Sequence, residues 1–217
     1  MKSIKYVNLH PIKNNKIIQK KSMKSMFKIF VLGISLTSLT SCALSNSVQQ
    51  INYQSNLKVE NKLASSKIVQ IEPMMDVRGY QDDKVIFYKK NMYNQTMSGA
   101  YMAEKPVSEI LTEAIKNGLS EKNISLSNDN KNFTLKSELQ KLDYEAISGF
   151  STVQLIPQIT VKFQLIDTEG KVVWTDLITG KANTKGSKFE KFLPPAIDNL
   201  VQQLINSQDF LNNVKND

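Results

Sequence analysis

Residues 153–178 read VQLIPQITVKFQLIDTEGKVVWTDLI, and their spacing decides the fold. Val153, Leu155, Ile159, Val161, Phe163 and Leu165 keep apolar side chains at odd positions, the period of a strand with one buried face. Pro157 interrupts the pattern and implies an edge or a bulge there, because proline donates no ladder hydrogen bond. Asp167, Thr168, Glu169 and Gly170 supply hairpin chemistry, and Val172, Val173, Trp174, Leu177 and Ile178 supply the return strand.

Upstream, Phe133, Leu135, Ser137 and Leu139 alternate, then Leu142, Tyr144 and Ala146 resume on the other phase, which places a bulge within one strand. Ser148, Gly149 and Phe150 turn that strand into the next, completing a three-stranded antiparallel meander. Before it, Ile110, Leu111, Ala114, Ile115 and Leu119 recur at helical spacing after Pro106. Glu109 and Glu113 come early in that helix and Lys116 and Lys122 late, in agreement with the helix dipole. After the meander, Leu193, Ile197, Leu200, Val201, Leu204 and Ile205 form a second helical face opened by Pro194 and Pro195, and residues 209–214 read as a short extra turn. Ile68, Val69 and Ile71 make a first strand ended by Pro73. Val85, Ile86, Phe87 and Tyr88 make a short second one before a polar link through Ser98 and Gly99. The order strand, short strand, helix, three-stranded meander, helix predicts an α+β two-layer sandwich, a mainly antiparallel sheet with two helices on one face. The even positions Gln154, Gln158, Thr160, Lys162 and Gln164 make the other face polar.

Ahead of this domain, Leu39, Thr40, Ser41 and Cys42 close an apolar stretch and include the single cysteine of the 217 residues. Lys20, Lys21, Lys24 and Lys28 form a basic segment, and residues 29–39 an apolar core too short to span a bilayer. This order is a secretory signal ending in a lipobox, with Leu39, Thr40 and Ser41 recognised by signal peptidase II and Cys42 carrying the lipid. The expected organisation is a signal peptide over 1–41, an acylated cysteine and flexible tether over 42–66, and a single α+β domain over 67–217. Residues 1–22 resemble neither a signal nor a domain, so Met23 or Met26 is a candidate true start. The tether, rich in Ser, Asn, Gln and Lys, has a span of roughly 25 Å. The alternative is that residues 51–63 add an edge strand.

Cleavage at Cys42 changes the charge. Eight of the 28 basic residues and none of the 20 acidic ones fall within 1–41, so the formal charge of +8 lies wholly in the signal. A neutral domain lacks the basic field that displaces counterions from phosphates, and no nucleic-acid partner is expected. His10, the only histidine, also precedes the cleavage point. The mature chain therefore has no means of Ser-His hydrolysis, cysteine nucleophilicity, histidine-ligated zinc or thiol redox chemistry. Carboxylate pairs and Ser-Lys dyads stay available but have no supporting motif; Asp82 and Asp83 are adjacent acids in a turn-like stretch, the pattern of solvated charges. Neither an enzymatic activity nor a metal or cofactor is expected.

The helix over 107–122, the strand over 135–144 with its Gln140-Lys141-Leu142-Asp143-Tyr144 end, the hairpin around Gly170, and the closing helix with Asp209-Phe210-Leu211 after it resemble the YajG family of bacterial lipoproteins, over residues 67–215. The resemblance is one of element order and apolar spacing. It implies an outer-membrane lipoprotein facing the periplasm, with no assigned enzymatic activity and no catalytic residue to carry over. Leu44 is not the aspartate by which enterobacterial sorting retains lipoproteins in the inner membrane, so the outer membrane is the expected destination. The same order also looks like that of envelope accessory lipoproteins that activate peptidoglycan synthases or assist lipid transporters, an analogy of fold alone.

The candidate partner-binding residues are Asp76, Arg78, Tyr80, Tyr93, Met97 and Tyr101. All five methionines of the mature chain, four of its tyrosines and its only arginine fall within residues 74–102, and these types are enriched at interface cores. They equally suit core and loop packing for the second strand. Arg78 either pairs with Asp76 across a turn freed by Gly79 or presents its guanidinium to a partner's carboxylate or phosphate. The expected function is a non-catalytic adaptor or structural component of the envelope, held in the membrane through acylated Cys42 and touching an envelope protein. The alternative, an accessory of a lipid-transport system that binds acyl chains, requires an apolar groove, and the polar face of the long strand speaks against one.

Overall fold

The meander predicted from residues 133–178 forms, and it is long. The computed structural model describes residues 45–91, 93–148, 153–182, 184–185 and 189–215, which apart from Ser45 belong to the unit Asn46–Asp217. Leu39, Thr40, Ser41 and Cys42, which the sequence reading takes as a lipobox, lie outside the described residues, together with Met92, Gly149 and Phe150. In chain order the elements are β1 (Ser47–Gln49), β2 (Val69–Ile71), β3 (Met75–Asp76), β4 (Val85–Lys90), β5 (Thr96–Ala103), α1 (Val107–Glu121), β6 (Phe133–Ser148), β7 (Val153–Asp167), β8 (Val172–Lys181), β9 (Thr184–Lys185), α2 (Phe189–Asn206) and α3 (Gln208–Val214). The architecture is α+β: two mixed sheets with three helices packed on them and no barrel. The larger sheet runs β2-β6-β7-β8, with β3 also on β6 and β9 on β7; the smaller runs β1-β5-β4.

Within the larger sheet β6, β7 and β8 are antiparallel, with Leu135 opposite Leu165 and Leu165 opposite Trp174. Leu139 opposes Val161 but Lys141 opposes Thr160, which is the bulge that the change of phase required. Asp167 shapes the next turn by accepting from the N–H groups of Glu169 (3.0 Å) and Lys171 (2.9 Å), and Gly170 takes φ +83°. Helices α1 and α2 cover the face that carries Leu135, Leu139, Ile159, Val161, Phe163 and Leu165, all fully buried. Ser207 both ends α2 and caps α3: its N–H donates to the Leu204 carbonyl, and its hydroxyl accepts from the N–H of Phe210. Phe210 then packs on Trp174, ring centroids 5.2 Å apart. A Cβ on Gly118 would come 2.2 Å from Val201 Cγ1, and one on Gly180 would come 2.4 Å from the Ala196 carbonyl oxygen. Those two glycines set how closely α2 approaches α1 and β8.

Four expectations are corrected. Pro157 lies in the middle of β7, neither on an edge strand nor at a bulge; β8 ends opposite Gln158 and β9 begins opposite Leu155, so the missing donor falls at a gap in the ladder. Helix α2 begins at Phe189, so Pro194 and Pro195 lie inside it and leave the carbonyls four residues earlier without their usual donors. The sheet is not single: β4 pairs with β5, Val85 opposite Met102 and Tyr88 opposite Ala100, and β1 adds parallel to β5. The stretch read as a polar link is therefore a strand whose Ala100 and Met102 bury on one side with Val85, while Tyr101 and Ala103 turn to the main core.

The fourth correction concerns the tether. Residues 51–63 form an extended arm that lies on the domain, with Ile51, Tyr53, Leu57, Val59 and Leu63 packed against the core. Tyr53 Oη donates to Asp198 Oδ1 (2.8 Å), Lys58 exchanges backbone hydrogen bonds with the Gln202 amide (2.9 and 3.1 Å), and the Leu63 N–H donates to the Lys122 carbonyl (3.1 Å). Its apolar residues are separated by even numbers of positions, so on an extended chain they all point the same way. The arm is not an edge strand, because helix side chains take several of its backbone bonds.

Candidate functional site

Asp76 ends β3, where the Val77 N–H holds the backbone to the Leu139 carbonyl, and Gly79 at φ +77° lets the chain turn. Arg78 folds back across this turn. Its Nε donates to Asp76 Oδ1 (2.8 Å), its Nη2 to Asp76 Oδ2 (2.5 Å) and its Nη1 to the Ile86 carbonyl on β4 (2.9 Å). One guanidinium thus makes a two-pronged pair with a carboxylate and straps the larger sheet to the smaller. The Arg78 side chain is 2% exposed and that of Asp76 13%. Burial acts to raise the Asp76 pKa, but the hydrogen bonds and charge of Arg78 outweigh it and hold the carboxyl below the ordinary value of 3.8.

A second strap lies beside the first. Lys90 Nζ, at the end of β4, donates to both oxygens of Asp143 on β6 (2.8 and 3.0 Å). Between the straps the rings of Tyr80 and Tyr88 meet edge to face at 5.2 Å, Phe87 meets Tyr144 at 4.4 Å, and Arg78 lies 4.6 Å from the Tyr80 ring centre. Arg78, Tyr80, Phe87, Tyr88, Lys90 and Asp143, with Gln140 and Lys141, line a cleft of about 250 Å³. Burial raises the pKa of Tyr80 and of Tyr144, so both hydroxyls stay protonated at neutral pH. Arg78 and Lys90 are each matched by a carboxylate, so the cleft offers aromatic faces with the exposed Lys141 at its wall as the cation outside the ion pairs.

Of the six candidates from sequence, Asp76, Arg78 and Tyr80 come together here. Tyr101 packs edge-on against Phe87 at 5.6 Å with Lys89 over its ring, and Met97 is half-buried on β5. Tyr93 sits on the β4–β5 connection and is 77% exposed. The six do not share one surface, and Arg78 is occupied by the local pair rather than presented outward.

A wider cleft, about 610 Å³, has walls that no motif announced. Lys58, Glu60 and Asn61 come from the arm, Lys122 follows α1, Gln202 and Asn206 come from α2, and Asn212 and Lys215 from α3 and the residue after it. Lys122 is 4% exposed and its Nζ donates to the Glu60 carbonyl (2.9 Å). None of the ion pairs among the described residues involves Lys58, Lys122 or Lys215. The usable signal was the even spacing of apolar residues in the arm, since a docked arm must build a wall against the helices it crosses. Among the described residues no three or more carboxylate, histidine or cysteine side chains gather as metal ligands, and no helix is long and apolar enough to cross a membrane.

No family model and no curated protein matches the chain. Among solved structures it is similar to a Xanthomonas campestris protein of family DUF330, with a TM-score of 0.53 at 10% identity over 77% of this chain and 94% of that one. A minor lipoprotein from Acinetobacter baumannii is similar with a TM-score of 0.43 at 18% identity, over 69% of this chain and 96% of that one. At 10% identity the likeness to the Xanthomonas protein is one of fold alone.

Proposed function

We propose that the chain is an envelope lipoprotein of the kind its YajG resemblance implies, held in the outer membrane by acyl chains on Cys42 and facing the periplasm, and that it acts by binding a partner protein rather than by catalysis. The observation that carries this reading is a lipobox ending at Cys42 followed at once by a folded unit that begins at Asn46. Each buried CH₂ contributes ~0.8 kcal/mol, so several acyl chains on one residue make a lasting anchor where a single chain gives marginal binding. A mature chain with neither histidine nor free thiol supports binding over acid–base or nucleophilic chemistry. The wide cleft is the surface we assign to the partner. Its exposed Lys58 and Lys215 stand outside the ion pairs, and its carboxamides suit a polar, acid-bearing segment.

Mass spectrometry of the mature protein, together with crosslinking in intact cells, tests both halves. The expected mature amino terminus is an acylated Cys42, and one stoichiometric envelope protein is expected to crosslink to wild type and to be lost with Lys58→Glu and Lys215→Glu combined. A Cys42→Ser variant that matures normally and stays in the membrane overturns the lipoprotein reading. Recovery of lipid alone overturns the adaptor reading and transfers the weight to acyl-chain handling.

A further inference from the structure

Resting on the reading that the wide cleft takes the partner, we infer that the partner enters it as an extended segment lying beside the arm, its backbone held by Asn206 and one of its carboxylates seated on Lys122. The arm shows how this wall grips a chain. Gln202 of α2 accepts from the Lys58 N–H (2.9 Å) and donates to the Lys58 carbonyl (3.1 Å), so one carboxamide holds an extended backbone at both of its polar groups. Asn206 follows four residues later on the same side of the helix and lines the same cleft. It is exposed, and its carboxamide has no hydrogen-bond partner among the described residues. A second extended chain can be gripped there as the arm is gripped at Gln202.

Lys122 supplies a charge that the arm leaves open. It is 4% exposed, yet among the described residues no carboxylate lies within ion-pair distance, and its Nζ donates only to the Glu60 carbonyl (2.9 Å). An ammonium carries three donors, and a buried charge is ordinarily paired. Neither local structural task requires this one. The last carbonyls of α1 are already taken, Gly118 by the Lys122 N–H, Leu119 by that of Ile124 and Ser120 by that of Asn123. The arm is already tied here by the Leu63 N–H to the Lys122 carbonyl (3.1 Å) and by Asn123 Nδ2 to the Leu63 carbonyl (2.6 Å). Three lysines and one acid line the cleft, and that acid, Glu60, is exposed and outside the ion pairs. A carboxylate arriving with the partner completes the pair that Lys122 lacks, and the exposed Lys58 and Lys215 draw it in.

The test uses the full mature protein in detergent, with hexaglutamate and hexaglutamine blocked at both ends and inorganic phosphate as probes, each titrated by calorimetry. Wild type is expected to bind hexaglutamate but not hexaglutamine, and to melt higher in its presence. Affinity is expected to fall about tenfold or more with Lys122→Met and about three- to tenfold with Asn206→Ala. Without probe, Lys122→Met is expected to melt no lower than wild type, because it removes an unpaired buried charge. In wild type labelled with carbon-13 at lysine, hexaglutamate is expected to shift the Lys122 side-chain signal, a readout that depends on no variant folding. A Lys122→Met variant that melts lower and binds hexaglutamate as wild type does makes Lys122 a tie for the arm and overturns the inference. Phosphate binding as tight as hexaglutamate, and lost with it in Lys122→Met, overturns the peptide in favour of a simple anion. Failure of wild type to bind hexaglutamate overturns the inference outright; a protein that still crosslinks in intact cells then leaves the adaptor reading standing, and its absence overturns that reading as well.

Discussion

Arg78 is the residue on which most of the local structure converges. It neutralises Asp76, faces Tyr80 and reaches the β4 backbone, all from a side chain 2% exposed. Removing one member of a buried pair leaves the other charged and unsolvated, so Asp76→Ala is expected to cost about 3–5 kcal/mol in urea denaturation. The pH dependence follows from the lowered Asp76 pKa. Stability from this carboxylate is fully present above its unfolded value near 3.8 and is lost as pH falls through the lower folded value. Denaturation measured down the pH scale is expected to show the gap between wild type and Asp76→Asn closing below about pH 4; a constant gap would mean that the pair contributes nothing electrostatic. The local half of this arrangement was legible, because an acid and an arginine two residues apart before a glycine make a turn pair. The bond to Ile86 was not, since it depends on where β4 lies.

Elements were legible where their period was strong and obscured where small residues or isolated apolar ones diluted it. Helix α1 and strands β6 to β8 appear as read, bulge included. Strand β5 was missed because Ser98 and Gly99 resemble a link, and the arm because its apolar residues stand singly among Ser, Asn and Lys. Tyr53 latches the arm to Asp198, and burial, with that hydrogen bond second, keeps its hydroxyl protonated far above the ordinary value of 10.0. A raised folded value gives stability that is complete below the unfolded pKa and fades above it. Alkaline unfolding of wild type above about pH 10 is expected to be steeper than that of Tyr53→Phe, which loses about 1 kcal/mol at neutral pH. Helix packing offers a sharper check at Gly118. Alanine there gains up to about 1 kcal/mol of helix propensity yet overpacks Val201 at a cost of about 1–3 kcal/mol. The melting temperature of Gly118→Ala is expected to fall, and Val201→Ala in the same chain is expected to recover part of it; a rise in the single variant would show that α2 moves aside freely.

At the scale of the whole domain, the small sheet gives Ile86, Phe87 and Ala103 to the main core but keeps Val85, Ala100 and Met102 in a cluster of its own, and Arg78 to Ile86, Lys90 to Asp143 and Phe87 on Tyr144 link it to the larger sheet. Parts joined by few buried contacts open separately. Amide hydrogen exchange followed by mass spectrometry is therefore expected to show faster exchange in β4 and β5 of a Lys90→Ala variant, with β6 and β7 still protected. Uniform acceleration would show that the sheets unfold as one unit.

By itself the sequence determined the covalent logic and the local periods. A cysteine after Leu-Thr-Ser, eight lysines and the only histidine confined to residues 1–41, the alternation through Leu165 and the helical face before Leu119 all depend on residues near one another in the chain. Tertiary structure alone decided that β4 leaves the main sheet, that residues 51–63 lie down on α2, that Arg78 faces inward, and that a cleft of about 610 Å³ opens where the arm crosses the helices. Each of those joins residues far apart in sequence. Strand partnership and cleft walls are set by which apolar faces remain uncovered after the long meander has formed, and no spacing within a single segment records that remainder.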